Sequence, residues 1–351
     1  MNLKQLSQKL SLSQTTVSRA LNGYPEVAEE TRRRVVEAAK RYGYRPNPSA
    51  RRLATGKAGM IGYVMPTGES VDIDTHFVEF LSGVGDYARA HDFDLVLSPT
   101  SPDDEEMTYR RVAANHQVDA VYVSSPKSDD ARIRLLEELG LPYIVHGRAD
   151  DLDFAFPFLD IDNEGAFHDA ARLLLQLGHQ RIALLNGDPG KTFAVHRERG
   201  VRRALQDQGL DLRDQFKSST TMTEENGYRM AKRLLDGSER PTALICSSLM
   251  QTLGVLRALG DLGLSVPDDV SLISHDDVFP FLRPEGFATP LTTTCSPIRA
   301  AGSRIAERLA ARIAETETGP IGEVWPVDLI VRGSVGRAPE KKRKARLVGQ
   351  S

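Results

Sequence analysis

Cysteine is nearly missing from this chain, with only Cys246 and Cys295 in 351 residues, and no cysteine or histidine cluster stands at metal-ligand spacing. Neither a disulfide scaffold nor a zinc site is supported. Also missing is any apolar run near the roughly 20 residues that span a bilayer, and the N-terminus shows no apolar signal-peptide core. The expectation is a protein that stays in the cytoplasm and engages no membrane. Catalytic signatures are missing too: there is no G-x-S-x-G elbow, no P-loop and no H-E-x-x-H, and Gly-Asp-Pro-Gly at 187–190 reads only as a turn. Adjacent carboxylates such as Asp276 and Asp277 do not by themselves make a catalytic pair, so the expectation is not an enzyme, with no cofactor and no metal.

A large net charge is likewise missing, but the total of −3 hides an asymmetry. Residues 1–57 hold 12 Lys and Arg against 4 Asp and Glu, and residues 337–351 hold 6 against 1, which leaves the rest of the chain at −16. A basic head on an acidic body favours nucleic acid at one end and disfavours it elsewhere. With 40% hydrophobic and 26% charged residues the composition is that of an ordinary globular chain, long enough for two or three domains.

The head carries the sharpest pattern. Leu3, Leu6 and Leu10 repeat at helical spacing, a short Ser11-Leu12-Ser13 break follows, and Ser13 is placed to cap the next helix. In that helix Val17 and Leu21 share a face while Gln14, Thr15, Ser18, Arg19 and Asn22 occupy the remaining surface. Two short helices across so tight a turn suggest a helix-turn-helix whose second helix enters the major groove. Arg19 can donate to guanine and Gln14 can pair with adenine or another base edge, whereas Thr15, Thr16 and Ser18 suit phosphate oxygens or a thymine methyl. A third amphipathic helix over 29–42 would set Val35, Ala38, Ala39 and Tyr42 against the first two and turn Arg32, Arg33, Arg34 and Lys40 outward. Beyond it, Pro46 and Pro48 keep the chain extended, and helical turns can resume at Ser49.

The T-V-S-R-A-L-N run at 16–22, T-R-R-R-V at 31–35, Y-R-P-N at 44–47 and A-R-R-L-A at 50–54 resemble the LacI/GalR family of bacterial transcription regulators. That resemblance implies a hinge helix over 49–55 that enters the minor groove as a dimer pair, with Leu53 wedged between base steps to kink the duplex. Asn47 and Ala50 join the implied DNA contacts. Two departures are visible: Gln5 and Ser7 replace the family's Asp-x-Ala, and Ala28 replaces the serine that caps the third helix, so weaker local capping is expected at both places.

From Met60 the pattern changes to alternating strands and helices. Strands are expected over 60–65, 94–98, 120–124 and 143–146 with helices over 77–91, 103–115 and 131–139 between them. A second set follows, with helices over 164–177, 192–208, 224–235 and 250–262 and strands over 181–186, 243–247 and 270–274. The expected fold class is α/β: an N-terminal helix-turn-helix headpiece plus an effector domain of two parallel-sheet lobes, which the resemblance makes similar to periplasmic sugar-binding proteins. Crossings between lobes are expected near 157–162 and 291–294, with a last strand over 327–331 returning to one lobe. The implied boundaries are 1–45 for the head, 46–57 for hinge and linker, 58–336 for the effector and dimerisation domain, and 337–351 for a basic tail read as a solvated, disordered end.

Open parallel sheets bind ligands at the carboxyl ends of their strands. A sugar needs groups that grip paired hydroxyls and an aromatic ring against its C–H face. By resemblance, Arg197 of R-x-x-G and Asp276 of S-H-D-D hold the effector, and His275 alters the wall where the family has an aromatic residue. Asp162 follows a strand and can reach the cleft, as can Asn163, which can equally cap the next helix. Phe77, Phe80 and Phe193 can stack on a sugar or pack in a core. Where the family has an aspartate that grips a hydroxyl, Leu249 stands instead, which puts a plain monosaccharide in doubt and leaves a glycoside or disaccharide as the alternative. The implied function is a repressor of sugar or glycoside utilisation genes that acts as a homodimer on a double-stranded, palindromic operator under control of a small carbohydrate. A secreted sugar receptor is the competing reading; it would need an export signal and would have no use for residues 1–57.

Overall fold

The computed structural model describes residues 1–44, 56–67, 75–237, 239–275, 279 and 281–339. The hinge helix expected over 49–55, with Asn47, Ala50 and Leu53, lies outside the described residues, as do Asp276 and the tail from 340. Two compact units form, a small one built chiefly from residues 1–59 and a large one from the rest.

In the small unit α1 (Leu3–Leu10), α2 (Gln14–Leu21) and α3 (Glu29–Arg41) close over one core of Leu6, Val17, Ala20, Val27, Val35, Ala38 and Ala39. Ser11 takes the left-handed conformation (φ 54) that ends α1, and Ser13 Oγ then accepts the Thr16 N–H at 3.0 Å to start α2. Gln5 corrects an expectation: its amide and Asn2 exchange reciprocal bonds at 2.9 Å, so the residue that departs from the family pattern completes a capping box instead of weakening one. Ala28 does leave α3 without a side-chain cap, and Glu29 and Glu30 in its first turn face the positive end of the helix dipole. Tyr42 is 40% exposed and does not join the core; Lys9 Nζ sits 4.7 Å above its ring.

The large unit holds two sheets. The first consists of β1 (Met60–Pro66), β2 (Asp94–Thr100), β3 (Ala120–Ser124), β4 (Tyr143–His146), β5 (Phe158–Ile161) and β11 (Gly322–Trp325), in the order β11-β5-β4-β3-β1-β2 with every pair parallel. The second consists of β6 (Ile182–Asn186), β7 (Lys217–Ser219), β8 (Ala243–Cys246), β9 (Ser271–His275), β10 (Thr292–Cys295) and β12 (Asp328–Ile330), ordered β12-β10-β9-β8-β6-β7, with β12 alone antiparallel. Helices α4 (Thr75–Ala90), α5 (Glu105–Ala114), α6 (Ala131–Leu139) and α11 (Ile298–Ile313) belong to the first lobe. The second carries α7 (Asn163–Gln176), α8 (Thr192–Gln206), α9 (Glu224–Leu235) and α10 (Leu249–Asp261). Strand alternation divides the second core: Ile182 and Leu184 face α7 and α8, while Ala183 and Leu185 face α9 and α10. Each fully buried leucine or isoleucine there contributes about 1.5–3 kcal/mol.

The chain crosses between lobes three times where two crossings were expected. The first is a single residue, Asp162, between β5 and α7; the second lies between β10 and α11; the third joins β11 to β12. The Asp162 N–H donates to Trp325 O at 2.8 Å, tying the first crossing to the third. The extra crossing follows from α11 and β11, elements the sequence reading leaves unassigned. Ile298, Ala301, Ile305 and Leu309 do repeat at helical spacing, but the buried face also takes in Gly302, Ala306 and the fully buried Arg308, whose guanidinium donates to Phe158 O, Ile321 O and Glu317. That cation pins the crossing segment to β5, and it is what masks the apolar face in the sequence.

Candidate functional site

On α2, Gln14, Thr15 and Arg19 are exposed, while Thr16, Ser18 and Asn22 are half-buried. Thr16 Oγ1 lies 2.8 Å from Ser13 Oγ, and Asn22 Nδ2 donates to Ser18 O at 2.9 Å, so these two residues serve the ends of the helix. Gln14, Thr15, Ser18 and Arg19 remain as an outward polar strip, with Thr15 and Arg19 one turn apart. Of the basic face of α3, Arg32 is engaged within the fold, donating to Tyr24 O and Glu29 at 2.9 Å, whereas Arg33, Arg34 and Lys40 are exposed.

In the large unit the carboxyl ends of the two sheets enclose a cavity of about 320 Å³. Arg197, on α8, is 5% exposed; its Nε donates to Asn163 Oδ1 and its Nη1 to Ser247 O, both at 2.8 Å. Its guanidinium lies between two rings, 4.8 Å from the centre of Phe193 and 5.1 Å from that of Phe167. What lets α8 carry Arg197 so close to α7 is Gly200: a Cβ there would stand 2.2 Å from Glu164 O. The glycine of R-x-x-G is thus a packing residue that positions the arginine.

Asp160, one residue from the end of β5, is a buried carboxylate in the cavity wall, which the exposed Asp188 also borders. Oδ1 accepts the Ile161 N–H at 2.9 Å and faces Asn163 Nδ2 at 3.4 Å; Oδ2 is buried with no hydrogen-bond partner among the described residues and lies 4.0 Å from Arg148 Nε. Burial pushes its carboxyl above the usual range, against the pull of Arg148, His196 and Arg197. In the same lobe as Asp160, Tyr63 stacks on Tyr122 with centroids 4.5 Å apart and meets Phe77 at 5.5 Å, while Phe80 stacks on His146 at 4.3 Å. Lys191 also lines the wall; burial, with Arg132 and Lys127 nearby, holds its ammonium below the usual lysine range.

The candidates named from sequence divide clearly. Phe77, Phe80, Phe193, Arg197 and His275 all line the cavity, and Phe80 is at once wall and core, at 1% exposure. His275 Nδ1 lies 2.6 Å from Thr294 Oγ1. Asp162, expected to reach the cleft, does not line it: its Oδ1 accepts the Gly165 N–H at 2.8 Å and caps α7, while Asn163 takes the cavity-facing one of its two open roles. Asp160 went unnamed although it stands at the carboxyl end of a parallel strand, which is where such a sheet presents ligand-binding groups. Leu249 is fully buried and forms part of the wall, so the cavity is apolar at that point.

A three-helix head with a polar recognition strip, and a two-sheet body with a carboxylate, a guanidinium and aromatic faces around one cavity, define a DNA-binding regulator with a receptor domain. Comparison with known proteins agrees. The pattern of the "Bacterial regulatory proteins, lacI family" matches residues 10–47, and that of the "Periplasmic binding protein-like domain" matches residues 171–335. The chain is 53% identical over 340 residues to the HTH-type transcriptional regulator AglR of Rhizobium meliloti (strain 1021), covering 97% of this chain and 96% of that protein. It is 34% identical over 277 residues to the HTH-type transcriptional regulator RafR of Escherichia coli, covering 79% and 82% respectively. The solved structure of a transcriptional regulator CelR–cellobiose complex superposes with a TM-score of 0.71 at 28% identity, covering 95% of this chain and 99% of that one. The chain belongs to the lacI family of bacterial regulatory proteins, a family of DNA-binding transcriptional regulators. Among the described residues no helix is long and apolar enough to cross a membrane.

Proposed function

We propose that this protein is a cytoplasmic homodimeric repressor that holds a palindromic operator and releases it when a carbohydrate of disaccharide or glycoside class fills the cavity between its lobes. Gln14, Thr15, Ser18 and Arg19 read bases or phosphates in the major groove, and Asn47, Ala50 and Leu53 of the connector act at the minor groove. A pair of heads is needed because one short recognition helix touches few bases.

The observation that carries the effector reading is Asp160 Oδ2, a buried acceptor without a hydrogen-bond partner among the described residues in the wall of a 320 Å³ cavity. A sugar hydroxyl supplies the donor it lacks, Arg197 and Asn163 add groups on the same side, and Tyr63, Phe77 and Phe193 offer faces to C–H bonds. Small-ligand pockets run from about 300 to 1,000 Å³, so this one suits a compact ligand. The CelR relative was solved with cellobiose, which supports the same ligand class.

A thermal-shift screen of glucose, cellobiose, maltose, sucrose and raffinose tests this, because a ligand that binds the folded form raises its melting temperature by mass action. Any hit is then added to the protein on operator DNA. Loss of operator affinity is expected; a gain would make the sugar a corepressor, and no stabilisation by any of the set would end the carbohydrate reading.

A further inference from the structure

Helix α8 uses two faces at once. Phe193 and Arg197 look into the cavity, which Thr192 also borders, while Thr192 and His196, four residues apart on the adjoining face, meet the opposite lobe. The Thr192 N–H and hydroxyl both donate to Pro126 O, at 3.0 and 3.1 Å. His196 is 1% exposed and its Nε2 lies 2.8 Å from Asp150 Oδ2, in the loop after β4; neither residue lines the cavity. Asp150 is in turn 3.6 Å from Arg199 and, through Oδ1, 3.9 Å from Arg148 Nε. That same Nε is 4.0 Å from the Oδ2 of Asp160. Arg148 therefore stands between the ligand-facing carboxylate and the carboxylate that joins the lobes.

We propose that the Asp150–His196 bond is a latch between the lobes that positions α8, and hence Arg197, for the effector, and that Arg148 sets the latch according to what occupies Asp160. When effector hydroxyls donate to Asp160, its hold on Arg148 weakens. Arg148 then moves toward Asp150 Oδ1 and holds the carboxylate in place, with Oδ2 aimed at the His196 N–H. Filling the cavity thus strengthens a latch that already joins the lobes in the empty protein. The coupling rests on the reading of the cavity as an effector site; the latch itself does not.

Pulsed electron resonance between nitroxides on Met107→Cys, exposed on α5, and Arg229→Cys, exposed on α9, measures the distance between lobes in a Cys295→Ser background. Cys246 is fully buried with its thiol pushed up to about 12 and does not label. Asp150→Ala and His196→Ala should each lengthen the distance in sugar-free protein. Asp150→Asn, which keeps an acceptor, should restore most of it. For whichever of cellobiose, maltose or sucrose the parent binds, each alanine change should weaken binding by about tenfold, within the usual range of coupling between sites, and the double change should do no more than one alone. Asp150 is on the surface side of the pair, so its variants fold even if His196→Ala does not. Unchanged distances in Asp150→Ala, or effects that multiply in the double variant, overturn the latch. If no sugar binds the parent, the cavity reading and the Arg148 coupling fall, while the sugar-free distances still decide the latch.

Discussion

Asp160→Asn separates binding from folding at one atom. The amide keeps the shape of the side chain and its acceptor toward the Ile161 N–H, but it replaces Oδ2, buried and without a hydrogen-bond partner among the described residues, by a donor. A sugar hydroxyl bonded to the ionised carboxylate makes a charge-assisted bond that contributes about 1.5–3 kcal/mol. Its loss should raise the dissociation constant roughly 10- to 150-fold. Stability should move the other way. Burial holds the Asp160 carboxyl above its ordinary range, so the empty native protein binds that proton more tightly than the unfolded chain does. The stability tied to the neutral form is present at low pH and is lost as pH rises from the ordinary aspartate range through the raised value. At neutral pH the empty wild-type protein carries a destabilising buried charge that the asparagine lacks. Isothermal titration with the best sugar, beside melting curves from pH 4 to 8, should show weaker binding together with a melting temperature equal to or above wild type at pH 7, the gap narrowing toward pH 4. Sugar affinity within about twofold of wild type, or a parallel drop in melting temperature, would refute the reasoning.

Three further changes probe the rest of the molecule. Gly200→Ala forces a methyl group onto Glu164 O, and overpacking of this kind costs about 1–3 kcal/mol; urea denaturation should register it, along with weaker sugar binding as Arg197 shifts. Arg19→Ala should remove about 1–3 kcal/mol of discrimination between operator and substituted duplexes, read by fluorescence anisotropy; an equal loss on every duplex would make Arg19 a phosphate contact. Leu6→Ala opens a hole in the head's small core, where Leu6 is fully buried. A loss of about 2–5 kcal/mol should unfold the head and abolish operator binding while sugar binding persists in the large unit.

Much of the framework is legible along the chain. The strand Ala120–Ser124, the helix Ala131–Leu139, the strand Tyr143–His146 and the helix Glu224–Leu235 fall at the residues where periodicity places them. The Ser13 cap is legible for the same reason, since donor and acceptor lie three residues apart. The capping role of Gln5 follows from its local pairing with Asn2, three residues away, which a comparison with the family pattern overlooks. Helix α11 was hidden by Arg308, a buried cation whose partners at Phe158, Glu317 and Ile321 belong to segments that meet it only in the fold.

Spacing, caps and charge along the chain were enough to determine a basic three-helix reader and an α/β body, because those signals act between residues a turn or a strand apart. Which side chains share the cavity was settled only by tertiary structure. Asp162 and Asn163 are neighbours in sequence, yet one caps a helix and the other faces the cavity, and the difference is set by the turn of the chain at the crossing. Asp160 and Arg197, from β5 and α8, line one cavity because three crossings bring the carboxyl ends of two sheets together. No local rule encodes that meeting; it is the packing of the two lobes that brings a carboxylate, a guanidinium and the aromatic rings around one space.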